Sequence, residues 1–233
     1  MRGIVFTPDR NTRRADFTGA FLPEARAFIR AHQLPARALV RIDISKSDQE
    51  MRAQVLEAIK REDQLQGILE TVAFFCHGWC SGIQLGFSVN NVVELACALK
   101  PLATRDIKMP LYACSAARDR DGQIEDDIDP NSVGGDGGFA DQLRDAICSY
   151  AYAIDCRVLA HVTAGHATRN PWVRFFEGGG QPYGGKGGVW VVKPKGPLWK
   201  RWIRWLAEGN NRFRLPFMSI DEVQAELEHP EAP

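Results

Sequence analysis

Two stretches of the chain share one pattern, Glu70–Ser81 (ETVAFFCHGWCS) and Lys108–Ala117 (KMPLYACSAA). In each, a run of apolar, β-branched and aromatic residues stops abruptly at a reactive side chain, His77 in the first and Cys114 in the second. A buried strand that ends on a base or a nucleophile is how an open α/β sheet presents chemistry at its carboxyl edge. Other segments read as strands by alternation or apolar content: ALVRIDIS (38–45), CRVLAHVTA (156–164), GVWVV (188–192) and, as a short edge strand, RGIVFTP (2–8). Between them the apolar period changes to that of a helix. Asp16–His32 carries Pro23 near its first turn, where a missing N–H costs little. Ser45–Ser47 is placed to cap a helix with Met51, Val55, Leu56 and Ile59 on one face. Asn90 or Asn91 caps the next, which bears Val92, Val93, Leu95, Ala96 and Leu99 and is closed by Pro101. Phe139–Cys148 turns Phe139, Leu143, Ala146 and Ile147 inward, and two further helices are expected at Pro197–Leu206 and Ile220–Glu228, the latter with a Ser219/Glu222 capping box.

Strands alternating with helices predict an α/β fold with a mostly parallel central sheet covered on both faces. A single domain over 1–233 is expected, with 1–37 as an N-terminal extension, 38–192 as the catalytic core and 193–233 as a C-terminal helical segment.

Composition narrows the function classes. The 29 basic and 29 acidic residues cancel, so the electrostatic footprint of a nucleic-acid binder is missing. No apolar stretch approaches the roughly 20 residues that span a bilayer, and the amino terminus has no long apolar core ahead of a cleavage site. The chain therefore reads as soluble, with a cytoplasmic setting expected and export by a dedicated secretion machine leaving no mark in such a sequence. Six cysteines spread over predicted strands and helices are unlike a small secreted disulfide framework and are expected to be reduced. No cofactor is called for by any motif.

The candidate chemistry has competitors. A cysteine nucleophile needs a base close in space, and His77 and Cys114 end two strands separated by one helix, so both emerge on one edge if the strands are neighbours. Gly78 leaves its backbone N–H open to an approaching carbonyl oxygen. A rival lies in Gly78-Trp79-Cys80-Ser81-Gly82, which fits a cysteine version of the G-x-C-x-G nucleophile elbow, with His161 or His166 as base and Asp155 as its orienter. Cys76-His77-x-x-Cys80 places three potential metal ligands together, but strand alternation turns Cys76 and His77 to opposite faces, so no metal site is expected. The acidic run from Asp119 to Asp129 reads as a solvated loop, with calcium binding or a cleavable linker as the sharper alternatives. Gly184–Gly188 lacks the phosphate-loop pattern and is expected as a flexible hairpin. Ser115, His161 and His166 are the substrate-contact candidates. Trp199, Trp202 and Trp205 give the predicted helix over 197–206 a broad aromatic face for packing or for partner docking.

His77-Gly78 after one apolar strand and Tyr112-Ala113-Cys114-Ser115 after the next resemble the His-Gly and Ala-Cys pair of the caspase-like cysteine peptidases. Ala-Cys-Ser and the stretch GGDGGFADQLRDAI (134–147) are most similar to bacterial caspase- and metacaspase-like proteins. The resemblance implies a caspase-like three-layer α/β/α sandwich and a cysteine endopeptidase acting on protein or peptide substrates. It further implies Cys114 as nucleophile, His77 as catalytic histidine and the Gly78 N–H as part of the oxyanion hole. Tyr112 stands where caspases have Gln, and Ser115-Ala116 replaces their Arg-Gly, which argues against an aspartate-specific pocket. A catalytically silent member of the fold, acting as a binding or scaffold module, is the alternative from another class.

Overall fold

The apolar run after Ile68 forms a seven-residue strand, and the rest of the sheet is laid out around it. A computed structural model of the chain describes residues 1–9, 19–65, 67–119, 137–164, 173–179, 189–190, 222, 225 and 228. Its elements, in chain order, are β1 (Gly3–Pro8), α1 (Phe21–Ala31), β2 (Leu39–Ile42), α2 (Asp48–Gln64), β3 (Leu69–Phe75), β4 (Gly78–Trp79), β5 (Gly82–Ile83) and β6 (Phe87–Ser88). They continue with α3 (Val92–Leu99), β7 (Ala103–Tyr112), α4 (Phe139–Tyr150), β8 (Arg157–His161), β9 (Val173–Glu177) and β10 (Val189–Trp190).

The main sheet has the order β10-β9-β8-β7-β3-β1-β2. Strands β2, β1, β3, β7 and β8 run parallel, and β9 and β10 close that end antiparallel. The chain starts at β1, steps to β2 on one side, then crosses to β3 on the other and continues outward through β7 to β8. With right-handed crossovers, a reversal of direction puts the connecting helices on opposite faces. Strand alternation confirms it. Val5, Ala73, Phe75 and Tyr112 share a core with Phe21, Ala25 and Phe28 of α1, while Ile4, Phe6, Val72, Phe74 and Leu111 share one with α2, α3 and α4. The result is helices on both faces of a mostly parallel sheet, as the strand–helix alternation predicts.

Three local features differ from expectation. Residues 2–8 do not make an edge strand: β1 lies between β2 and β3, every residue of it is buried, and β2 is the edge. The central sheet therefore begins at Gly3. The segment after His77 is a small three-stranded meander, β4-β5-β6, which the apolar pattern did not single out. Finally, β9 falls in a stretch that the apolar pattern did not single out. Residues 120–136, His166, Gly184–Gly188 and the tryptophan-rich segment 197–206 lie outside the described residues. Positions 222, 225 and 228 are helical and exposed.

The start of α2 shows how literally one sequence signal is realised. The Glu50 N–H donates to the Ser47 hydroxyl oxygen at 3.3 Å, and the Ser47 N–H and hydroxyl donate to the Glu50 carboxylate at 3.0 and 2.7 Å. Ser47→Ala is expected to cost about 1 kcal/mol, read as a lower melting temperature. The bonds from the Ser47 backbone and side chain hold the exposed Glu50 carboxyl below its ordinary 4.5. A carboxyl depressed in the folded state contributes fully above its unfolded value and loses that contribution as pH falls through its folded one. Acidification below pH 4.5 should therefore destabilise the wild type more than Glu50→Gln.

Candidate active site

The site grows out of the β3/β7 pair. Phe75 stands opposite Tyr112 in parallel register, and their rings stack at 4.3 Å with planes 15° apart. Two residues further on, just past the carboxyl ends of these neighbouring strands, lie His77 and Cys114, which continued alternation assigns to that same α1-covered face. The His77 ring packs edge-on against Phe21 of α1, with centroids 4.9 Å apart, and both His77 and Cys114 are half-buried. The two strand ends remain in contact past the last paired residues. A Cβ on Gly78 would lie 2.8 Å from the Ala113 Cβ and 3.0 Å from the Cys114 carbonyl oxygen. This edge also flanks the β1/β3 boundary where the strand order reverses, the usual crevice of an open α/β sheet.

The meander fixes the backbone of the histidine. The Gln84 N–H donates to the His77 carbonyl at 2.9 Å, and the Gln84 Oε1 accepts the His77 N–H at 3.3 Å. That first bond makes Gly78 and Ile83 a non-hydrogen-bonded pair, so the Gly78 N–H faces away from β5 and lies outside the hairpin ladder. The meander is itself pinned to α2. Gly86 has φ +86° and sits where a Cβ would be 2.1 Å from the Asp48 carbonyl oxygen, and its own carbonyl accepts from Arg52 Nη1 and Asn91 Nδ2.

The turn that carries Cys114 is held from three sides. Ser115 takes a left-handed backbone, φ +56°, which turns the chain sharply after the cysteine. From the end of β8 and the residues after it, the His161 carbonyl accepts the Ala117 N–H at 3.1 Å and the Thr163 carbonyl accepts the Ser115 N–H at 3.3 Å. Arg118 Nε donates to the Val162 carbonyl at 2.8 Å, and buried Arg174 of β9 donates from Nη1 to the Ala117 carbonyl at 3.2 Å. The first amides of α4 reach both turns, Ala140 donating to the Ala116 carbonyl at 3.0 Å to complete the brace and Phe139 donating to the Cys80 carbonyl of the β4–β5 turn at 2.8 Å. Gln84, Arg118 and Arg174 have no sequence signature; each is a polar residue in a loop or strand whose role exists only once distant segments meet.

The other candidates are placed as follows. Cys76 is fully buried on the opposite face, and burial pushes its thiol far above the ordinary range, with nearby Cys114 adding to the shift and the Gln84 and Leu85 backbone N–H groups opposing it. Cys76 and His77 thus diverge as alternation requires, and among the described residues no three His, Cys, Asp or Glu side chains are grouped to hold a metal. Cys80 lies in the two-residue turn between β4 and β5, followed by a hairpin where an elbow needs a helix. Asp155 precedes β8, at the amino edge of the sheet, and pairs with Arg105 there, so it stands a full strand length from the carboxyl edge. His161 is 2% exposed, with its ring 6.4 Å from that of Tyr112, in the layer just beneath the edge. Ser115 is half-buried at the edge itself.

Compared with known proteins, the chain matches no family model, no curated protein and no solved structure.

Proposed function

We propose that the protein is a caspase-like cysteine endopeptidase that hydrolyses peptide bonds through Cys114 and His77. The observation that supports this reading is the register of β3 on β7, whose ends lead into His77 and Cys114 at one sheet edge, with Gly78 against the Cys114 carbonyl. The chemistry follows from the groups present. His77 takes the Cys114 thiol proton as the sulfur attacks the scissile carbonyl carbon. The oxyanion that forms is met by backbone donors, the outward Gly78 N–H among them. His77 then protonates the departing amine, leaving a thioester. Water, deprotonated by His77, attacks that thioester, and the acid leaves as Cys114 recovers its proton.

The braced turn supports this assignment, because a nucleophile acts efficiently only when it is held within a fraction of an ångström of its productive position. Ser115, His161 and His166 are the candidates for substrate contact. A reducing compartment such as the cytoplasm suits a thiol nucleophile, and no helix among the described residues is long and apolar enough to cross a membrane.

A panel of fluorogenic peptides tests the reading. The wild type is expected to hydrolyse some of them, Cys114→Ala to fall to background, and Cys80→Ala to retain activity. Loss of activity in Cys80→Ala but not in Cys114→Ala would overturn the assignment. A wild type inert on every peptide, with a Cys114 no more reactive than an ordinary thiol, would favour a silent binding module.

A further inference from the structure

Outside the site, two buried thiols face each other. Cys148 in the last turn of α4 and Cys156 just before β8 have their sulfurs 3.4 Å apart, and both side chains are at most 2% exposed. Nothing in the peptidase reading uses them. Each is oriented by its surroundings, Cys148 Sγ 3.7 Å from the Ala153 carbonyl and Cys156 Sγ 3.8 Å from the Arg144 carbonyl. A disulfide requires an approach of only about 1.4 Å from this contact, within what two side chains and a short connecting loop supply.

We infer that Cys148 and Cys156 are an oxidation site, a preset dithiol that a small peroxide converts reversibly into an internal disulfide. The two thiols differ in the way such a step needs. The hydrogen bond shared with Cys156, helped by the charge of Arg144, lowers the Cys148 pKa against the effect of burial, whereas Cys156 is pushed up by that same contact and by burial. Asp145, ion-paired with Arg144, works against the thiolate at both positions. Cys148, the less deeply buried of the two, is the sulfur that attacks. Its thiolate takes one peroxide oxygen, the O–O bond breaks, and the other oxygen leaves as hydroxide and is protonated to water. Cys156 then attacks the resulting sulfenic sulfur, gives up its proton and expels the second water as the S–S bond forms. The sulfurs lose two electrons and the peroxide gains them.

The bond would staple the carboxyl end of α4 to the start of β8. Those two elements brace the Cys114 turn through Ala140 and His161. The staple shortens a loop that the unfolded chain would otherwise explore, so the oxidised protein should be the more stable form.

Arg144 and Arg157 bound a tryptic peptide, residues 145–157, that contains both cysteines. The reduced full chain is treated with hydrogen peroxide at stoichiometric level, denatured in an alkylating agent and digested. This peptide is expected to appear unalkylated and lighter by two hydrogens than its reduced form, and dithiothreitol should make both sulfurs alkylatable again. The melting temperature should rise on oxidation in the wild type and not in Cys156→Ala. Full alkylation of both sulfurs after Cys80, Cys97 or Cys114 has been oxidised would overturn the proposal. So would a sulfinic acid at Cys148 without a link, or a link from either cysteine to a different one. The outcome is independent of whether the protein hydrolyses peptides.

Discussion

His77→Ala is expected to lower peptide turnover by about 10²–10⁴-fold while leaving the protein folded, because under the proposed mechanism it removes the proton carrier and little else. The ring is half-buried and touches Phe21 at its edge, so its loss leaves the Phe75–Tyr112 stack and both helix-covered cores in place. Its backbone is held independently of its side chain, through the Gln84 N–H and Oε1. The variant should therefore keep a melting temperature near that of the wild type. The pH dependence separates a base from a mere packing residue. If His77 transfers the proton, turnover in the variant should lose the limb of its pH–rate profile that reports the imidazole. A residue that only fills space would lower the rate uniformly across pH.

Gly78→Val is expected to damage both stability and turnover. Even the first atom of the new side chain meets the Ala113 Cβ at 2.8 Å and the Cys114 carbonyl oxygen at 3.0 Å. Neither is the end of a flexible side chain, so relief requires the two strand ends to separate. Overpacking of this kind typically costs about 1–3 kcal/mol, visible as a fall in melting temperature. The separation also carries the Gly78 N–H away from the oxyanion it is proposed to bind, and loss of one such donor lowers turnover by about 10²–10³-fold. Turnover measured at a temperature where the variant is fully folded isolates the second effect. Wild-type turnover there would show that the Gly78 N–H has no part in the chemistry.

Much of this arrangement was legible in the residues. β8, most of β3 and the second half of β7 are buried, so they read as largely apolar runs, and the Ser45–Ser47 cap of α2 is local enough to need no knowledge of the rest of the chain. What was not legible depends on partners distant in sequence. RGIVFTP is too short to disclose that both its edges are paired, so an interior strand looked like an edge. The meander strands are two residues each, below the length at which any period can be recognised. β9 carries Arg174, and a charge inside a fully buried strand argues against burial until the carbonyl that receives it, Ala117 in a distant turn, is known. The same holds at the site. His77, Gly78 and Cys114 announce themselves by ending apolar runs, whereas Gln84, Arg118 and Arg174 act on backbone atoms from outside the motif.

The central claim is that His77 activates the Cys114 thiol, and it can be tested without knowing a substrate. The measurement is the rate of iodoacetamide alkylation at each cysteine of the native protein, resolved by peptide mapping, in the wild type and in His77→Ala. Cys97 is exposed on α3 and serves as the internal reference for an ordinary thiol. The account predicts that Cys114 reacts faster than Cys97 near neutral pH although it is the less exposed of the two, and that His77→Ala removes this advantage. A Cys114 that reacts no faster than Cys97, or whose rate is unchanged by His77→Ala, would contradict it.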